Sequence, residues 1–219
     1  MASDEAYDID DFGDEENAED NGGVDEEAAA DFLQAADAGD IAVLQQMSDR
    51  TELLEAQDEM GNTALHLAAL NAHVSCVALL LELGLDVNAV NDEGNTPLIL
   101  ATICLAPTAA ECAEVLIHRR ASAELENHQG YRALHYACGE GNMPVVRLLV
   151  ETAGVDVRAK SHDLLTPLLC AMINSRREVV LYLLQRDRGL LHIVDSNGDY
   201  PLHFAVLEKL TDMVGLLLE

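Results

Sequence analysis

The sequence predicts an all-α solenoid of stacked helix-turn-helix units, and three observations lead there. The stretch Gly61 to Glu93 reads G-N-T-A-L-H-L-A-A-L-N-A-H-V-S-C-V-A-L-L-L-E-L-G-L-D-V-N-A-V-N-D-E, and G-N-T-P-L begins again at Gly94, 33 residues on. A fixed period of a few tens of residues marks a repeat architecture. Within one period lie two short apolar helical patterns, neither able to bury its own face unless copies stack. Trp is absent and aromatics make up 4% of the chain, so the core must be Leu, Val and Ala. That composition suits thin stacked layers better than one large globule.

Each element of the unit has a local cause. Thr63 stands at a helix N-cap, where its hydroxyl can accept a bond from an orphan amide. His66, three residues later, is placed like the reaching-back member of a capping box. In the next copy Pro97 takes the first helical position, where its missing N–H costs nothing. Leu65, Ala68 and Ala69 mark a short inner helix whose small residues allow close approach of a neighbour. Val74, Val77, Leu80 and Leu81 recur at three- and four-residue spacing and give a second helix one apolar face. Gly84 is expected to end that helix in the left-handed region. Asp86-Val87-Asn88 then leads into the polar turn Asn91-Asp92-Glu93-Gly94.

On these residues the chain resembles the ankyrin-repeat family. T-A-L-H, T-P-L, A-L-H, T-P-L and P-L-H recur at intervals of 33, 36, 34 and 34 residues. The resemblance covers residues 28–219 as about six repeats: 28–60, 61–93, 94–129, 130–163, 164–197 and 198–219. It implies an all-α solenoid, a curved slab of helix pairs with β-turn fingers along one edge. It also implies that partners bind the fingers and the inner helices.

Taken in order, residues 1–27 read as a disordered acidic tail. The first 31 residues carry 14 Asp or Glu and no Lys or Arg, and such a segment cannot offset its ordering entropy. Tyr7, Ile9 and Phe12 could form a short acidic-hydrophobic motif there; the alternative is a solubilising tail. Residues 28–60 are a degenerate end repeat. Repeat 94–129 is longer, its additional residues falling around Leu105-Ala106-Pro107-Thr108, between its helices. In that repeat Ile99 replaces the motif histidine, and His118-Arg119-Arg120 ends the second helix without the usual Gly. Repeat 130–163 has Arg132 in place of the capping Thr. Repeat 164–197 has Leu164 where the turn Gly belongs and Leu169 where His belongs. Either that turn changes type or a non-Gly residue sits at positive φ, which is costly, and the finger at Ser161–Leu165 is expected to differ from that at Asn91–Asn95. The tail Arg186-Asp187-Arg188-Gly189 departs from the pattern and is expected to form an irregular loop. Met213, Val214 and Leu216–Leu218 are apolar around much of the last helix. Native caps are polar on the outer side, so more chain beyond Glu219, a partner or a second copy is expected there.

Composition narrows the function. No uncharged apolar run is long enough to cross a membrane, and no basic-then-apolar leader opens the chain, so a cytoplasmic or nuclear location is expected. Cys76, Cys104, Cys112, Cys138 and Cys170 are odd in number, lack metal-ligand spacing and read as reduced core residues. A net charge of −28 argues against general nucleic-acid binding. His66, His135 and His203 recur with the fold's own period and are assigned to capping and inter-repeat hydrogen bonds. No phosphate-cradling Gly loop, G-x-S-x-G, H-E-x-x-H or calcium loop occurs. No catalytic residue, cofactor, metal or small-molecule substrate is therefore expected.

The leading expectation is a protein-interaction module (a scaffold, adaptor or inhibitor) with a protein partner. The alternative is the ankyrin region of a larger, truncated enzyme or ubiquitin-ligase adaptor. A third reading, an acidic nucleic-acid mimic, rests on the tail alone. By resemblance the partner-binding finger positions are Glu59, Met60 and Asn62; Asp92, Glu93 and Asn95; His128, Gln129 and Tyr131; His162, Asp163 and Leu165; and Ser196, Asn197 and Asp199. The inner-helix positions are Leu70, Asn71, Ile103, Cys104, Gly139, Glu140, Ile173, Asn174, Leu207 and Glu208. Met60, Tyr131, Leu165 and Ile173 would form an apolar face, and Tyr131 beside Arg132 has the composition of a hot spot.

Overall fold

The structure, a computed structural model, describes residues 25–218. The expected disorder of the tail and its Tyr7, Ile9 and Phe12 motif lie outside the described residues. Among the described residues twelve helices form six antiparallel pairs, with two isolated bridges (Gln57 with Thr63, Glu126 with Arg132) in place of sheet. The inner row is α1 (Glu26–Ala38), α3 (Ala64–Leu70), α5 (Pro97–Ile103), α7 (Ala133–Glu140), α9 (Pro167–Ile173) and α11 (Pro201–Leu207). The outer row is α2 (Ile41–Gln46), α4 (Val74–Glu82), α6 (Ala109–His118), α8 (Met143–Leu148), α10 (Arg177–Arg186) and α12 (Thr211–Leu218). From α1 to α9 and from α2 to α10, each helix packs on the next in its row. The core between the rows is mainly Leu, Val and Ala, with Phe32 and a few Cys, Ile, Met and Tyr side chains.

Local chemistry sets the helix starts. The Thr96 and Thr166 hydroxyls each accept from the amide three residues on, Ile99 or Leu169, at 3.3 Å, with proline at the first helical position. The first helix starts earlier than expected: residues 26 and 27, assigned above to the tail, form its first turn. The Asp25 carboxylate caps the Ala28 amide at 3.3 Å, and Glu26 and Glu27 suit the positive end of the helix dipole. The longer repeats differ in where they store their extra residues. Residues 104–108 form the expected loop between α5 and α6. The single extra residue of repeat 130–163 becomes a π turn, Leu149–Ala153, closed by Gly154 at φ 66°. Arg120 takes the left-handed site that Gly84 fills elsewhere, at φ 71°.

The fingers explain most of the polar residues between helix pairs. In each, the first residue's amide bonds the fifth residue's carbonyl, as from Asn91 to Asn95 at 3.1 Å and from Asn127 to Tyr131 at 2.9 Å. The Oδ1 atoms of Asp58, Asn91, Asn127 and Asp195 also accept from the third and fifth amides. The fourth residue has positive φ. Neighbouring fingers are then joined: the Asp92, His128 and His162 amides donate to the Met60, Glu93 and Gln129 carbonyls, each at 3.0 Å. Asn91 donates to Asn62 Oδ1 at 2.8 Å and Asn127 to Asn95 Oδ1 at 2.9 Å, forming a buried side-chain ladder.

The expectation that the Ser161–Leu165 finger would differ is corrected. It keeps the Ser161-to-Leu165 and Leu164-to-Ser161 backbone bonds, both 2.9 Å, and Leu164 itself adopts φ 59°. The turn's hydrogen bonds outweigh the cost of a leucine in the left-handed region. The effect of the substitution falls instead on the next repeat. A Cβ at Gly61, Gly94 or Gly130 would lie 3.0, 2.8 or 2.6 Å from the backbone nitrogen of Asp92, His128 or His162. Glycine is what lets the following finger come close. Leu164 carries that Cβ, and among the described residues no backbone bond joins Asp163 to Ser196. Leu165 also replaces the ladder asparagine, so Asp195 bonds only within its own finger. Accordingly α11 packs chiefly on α12 and on the 3-10 turn Arg188–His192, and its contact with α9 is sparser than the contacts between earlier inner helices.

Leu164 is 40% exposed, so its side chain contributes little packing to set against its backbone cost. Leu164→Gly is expected to stabilise the protein by about 1 kcal/mol. The check is the urea midpoint; an unchanged or lower midpoint would show that the leucine is unstrained.

Candidate interaction surface

The repeated histidines are structural at two positions. His66 Nε2 faces the Asn95 carbonyl at 3.0 Å and must carry the proton, which leaves Nδ1 to accept from the Thr63 amide at 3.2 Å, with the Thr63 hydroxyl at 2.9 Å. His135 repeats this with the Arg132 amide at 3.1 Å and the Leu165 carbonyl at 3.2 Å. Only half of a capping box forms there, since a guanidinium has no acceptor for the returning amide. Burial lowers the pKa of both, for His135 to about 4. The third assignment is corrected: His203 is exposed, 3.6 Å from Asp199 Oδ1, and does not cap α11. Among the described residues no following finger offers it a carbonyl.

Four of the cysteines are buried and Cys104 is half-buried; all are free. Burial pushes the Cys112 and Cys170 thiols up to about 12, which leaves them unreactive. Among the described residues no cluster of three His, Cys, Asp or Glu could hold a metal, and no helix is long and apolar enough to cross a membrane.

The finger/inner-helix face carries a groove of ≈ 400 Å³ between α7 and α9. Gln129, Tyr131, His135, Tyr136, Gly139, Glu140, Leu165, Cys170, Ile173 and Asn174 line it. Gly139 opens it, because a Cβ there would reach Asn174 Nδ2 at 3.4 Å. Tyr131 meets His135 edge-on with ring centroids 5.6 Å apart and lies 5.6 Å from Tyr136. The Tyr136 hydroxyl accepts from Asn127 Nδ2 at 2.9 Å, so its ring is fixed from behind. Ile173 is 46% exposed at the rim. Two long apolar or aromatic walls with little freedom to lose suit a contact surface.

The structure sorts the other sequence-predicted residues. Met60, Asp92, Glu93, His128, Gln129, His162, Asp163 and Asn197 are exposed at finger tips, and Asn71 and Asn174 at inner-helix ends. Leu70, Tyr131, Leu165, Glu140 and Asp199 are half-buried. Asn71 also donates to Asp37 at 2.8 Å, tying α3 to α1. Asn62 and Asn95 must be withdrawn as contact residues: they are buried, and their oxygens complete the ladder. Arg132 is corrected too. Its guanidinium pairs with Glu124 and lies 3.7 Å from Glu126, its neighbour across the bridge, so it is not offered beside Tyr131. Sequence reasoning missed Tyr136, whose place four residues before Glu140 on α7 was the available signal. It also missed Tyr200 and Val206, exposed on the sixth repeat.

Stacked helix pairs joined by bonded fingers define a helical-repeat protein. A family model described as ankyrin repeats (3 copies) matches residues 32–127 and 106–190, and the chain belongs to the ankyrin-repeat family. The putative ankyrin repeat protein YahD of Escherichia coli is 25% identical over 193 residues, 86% of this chain and 94% of that protein. Human B-cell lymphoma 3 protein is 36% identical over 156 residues, 68% of this chain and 34% of that protein. Human transient receptor potential cation channel subfamily A member 1 is 27% identical over 212 residues, 78% of this chain and 19% of that protein. The chain thus spans nearly all of the bacterial relative but only about a third and a fifth of the two human ones.

Proposed function

We propose that this chain works without catalysis as a scaffold, adaptor or inhibitor, holding a protein partner on its finger/inner-helix face. The observation that carries the reading is the groove of Tyr131, Tyr136, Leu165 and Ile173, an apolar and aromatic surface on the finger/inner-helix face with Ile173 exposed at its rim. Membership of the ankyrin-repeat family supports a protein partner. Ile173→Glu and Tyr131→Ala change surface groups and are expected to leave the fold intact. Affinity capture with quantitative mass spectrometry is expected to show proteins retained by the native chain and lost, at least tenfold, from both variants. Retention of the same set by the variants would refute the groove as the contact surface.

A second reading, the interaction region of a longer enzyme or adaptor, is favoured by the small share of the human relatives that the chain spans. Sequencing the transcript past codon 219 decides between them. Either reading puts the protein in the cytoplasm or nucleus, supported by its five free cysteines; fractionation with a compartment marker tests it.

A further inference from the structure

The groove between α7 and α9 has a charge character as well as an apolar one. Glu140 lines it at the end of α7, and Glu93 and Asp163 are exposed on the fingers 91–95 and 161–165, before and after the finger that carries Tyr131. Glu93 accepts from Asn95 Nδ2 at 2.9 Å, and Asn127 bonds both Asn95 Oδ1 and the Tyr136 hydroxyl at 2.9 Å, which brings the Glu93 carboxylate near the Tyr136 ring. Burial first, and the charges of Glu93 and Asp163 as lesser causes, push the Tyr136 and Tyr131 phenols up. The two arginines beside the groove are already engaged: Arg176 Nε donates to the Gly139 carbonyl at 2.9 Å with Nη2 4.0 Å from Glu140, and Arg132 pairs with Glu124 and Glu126. The surplus around the groove is therefore negative. By contrast, arginines gather on the outer row, where Arg147 and Arg186 lie 4.8 and 5.8 Å from the Tyr182 ring and share Glu151.

We propose that this groove recognises a partner segment that inserts a large apolar side chain between Tyr131 and Ile173 and flanks it with Lys or Arg. The inference rests on the contact-face reading given above and adds the chemistry of the occupant. The floor supplies no charge to match, so the inserted residue is apolar. The rim carboxylates then meet the flanking cations, which sets register and raises the association rate. An acidic or neutral segment leaves the carboxylates facing like charge or nothing. A second copy of this chain would bring another −28 against the same rim, an unfavourable encounter.

The test is fluorescence anisotropy with the full chain and three labelled peptides of one length, patterned Lys/Leu, Glu/Leu and Lys/Ser. The Lys/Leu peptide is expected to bind, and the other two to bind at least tenfold more weakly. Ile173→Ser and Leu165→Ser should each weaken Lys/Leu binding about fivefold to tenfold. Asp163→Lys should weaken it about fivefold, while Glu114→Lys, the same charge change on exposed outer helix α6, should not. Circular dichroism melts confirm that each variant is folded. Lys/Leu binding that ignores both serine variants would overturn the contact face itself. Glu/Leu binding that is as tight and still lost in Ile173→Ser would keep the contact face and overturn the basic occupant. Equal binding of Lys/Ser, an equal effect of Glu114→Lys, or no Lys/Leu binding at the solubility limit of the peptide would each overturn the proposal.

Discussion

Gly130→Leu is expected to cost about 3–5 kcal/mol and to release residues 161–218 as a separately unfolding unit. Gly130 sits at φ 79°, and a Cβ on it would lie 2.6 Å from the His162 backbone nitrogen. The strain of a leucine there is one part of the cost. The other is the bond from the His162 amide to the Gln129 carbonyl, now 3.0 Å, which the side chain would push apart. The protein already shows the trend one repeat later: Leu164 stands at the same position, and there, among the described residues, the finger bond is missing and the inner-row contact thins. Moving that weak point inward should divide urea unfolding into two transitions. Hydrogen exchange should quicken through α9 and α10 while α3 and α5 stay protected. A single transition with less than about 1 kcal/mol lost would show that close finger packing is dispensable.

Stability is also expected to fall steeply with acidification through a window set by two histidines. His135 has its pKa lowered to about 4, first by burial, and His66 is lowered for the same leading reason. In the unfolded chain each binds a proton near pH 6.5, the ordinary value. For His135, between about pH 6.5 and 4 the unfolded state holds a proton that the native state refuses, and His66 acts in the same direction below pH 6.5, so stability rises with pH there. It is fully present above that window and lost as pH falls through it. The slope is up to about 1.4 kcal/mol per pH unit for each histidine, or roughly 3 kcal/mol in all for His135. The geometry gives the reason: a proton added to His135 Nδ1 would face the Arg132 amide, already a donor at 3.1 Å. Urea midpoints from pH 7.5 to 5 measure the effect, before most carboxylates titrate. His135→Leu should lower stability at neutral pH and flatten the slope. An unchanged slope in that variant would assign the pH dependence to other groups.

The repeat period, the helix starts at Thr63, Thr96 and Thr166, and the loop at residues 104–108 were all legible in the sequence. Each rests on local chemistry that one segment carries by itself. What was not legible depends on neighbours. Leu164 could be read as a strained turn, but its effect on the next repeat required knowing how near the Ser196 backbone must come. Asn62 and Asn95 sit among exposed finger residues in sequence, yet each is closed over by the following asparagine. Arg132 looked available beside Tyr131 until Glu124 and Glu126 claimed it from across the bridge. The single extra residue of the fourth repeat was visible as a 34-residue interval, but nothing in the letters says that it becomes a π turn. For the groove, Tyr131, Leu165 and Ile173 were foreseen from the repeat pattern. Tyr136 was not, because an aromatic on an inner helix reads as core until a glycine three residues later removes the wall beside it.

Site-specific photocrosslinking tests the central claim, that the α7–α9 groove is where the partner sits. A benzophenone amino acid is introduced in place of Ile173, at the groove rim, and separately in place of Leu181, exposed on outer helix α10. Both chains are irradiated in the cells that make the protein. The Ile173 probe is predicted to give discrete higher-mass products that disappear when Tyr131→Ala is added, and the Leu181 probe is predicted not to give them. Equal products from both positions, or products from Leu181 alone, would contradict the assignment.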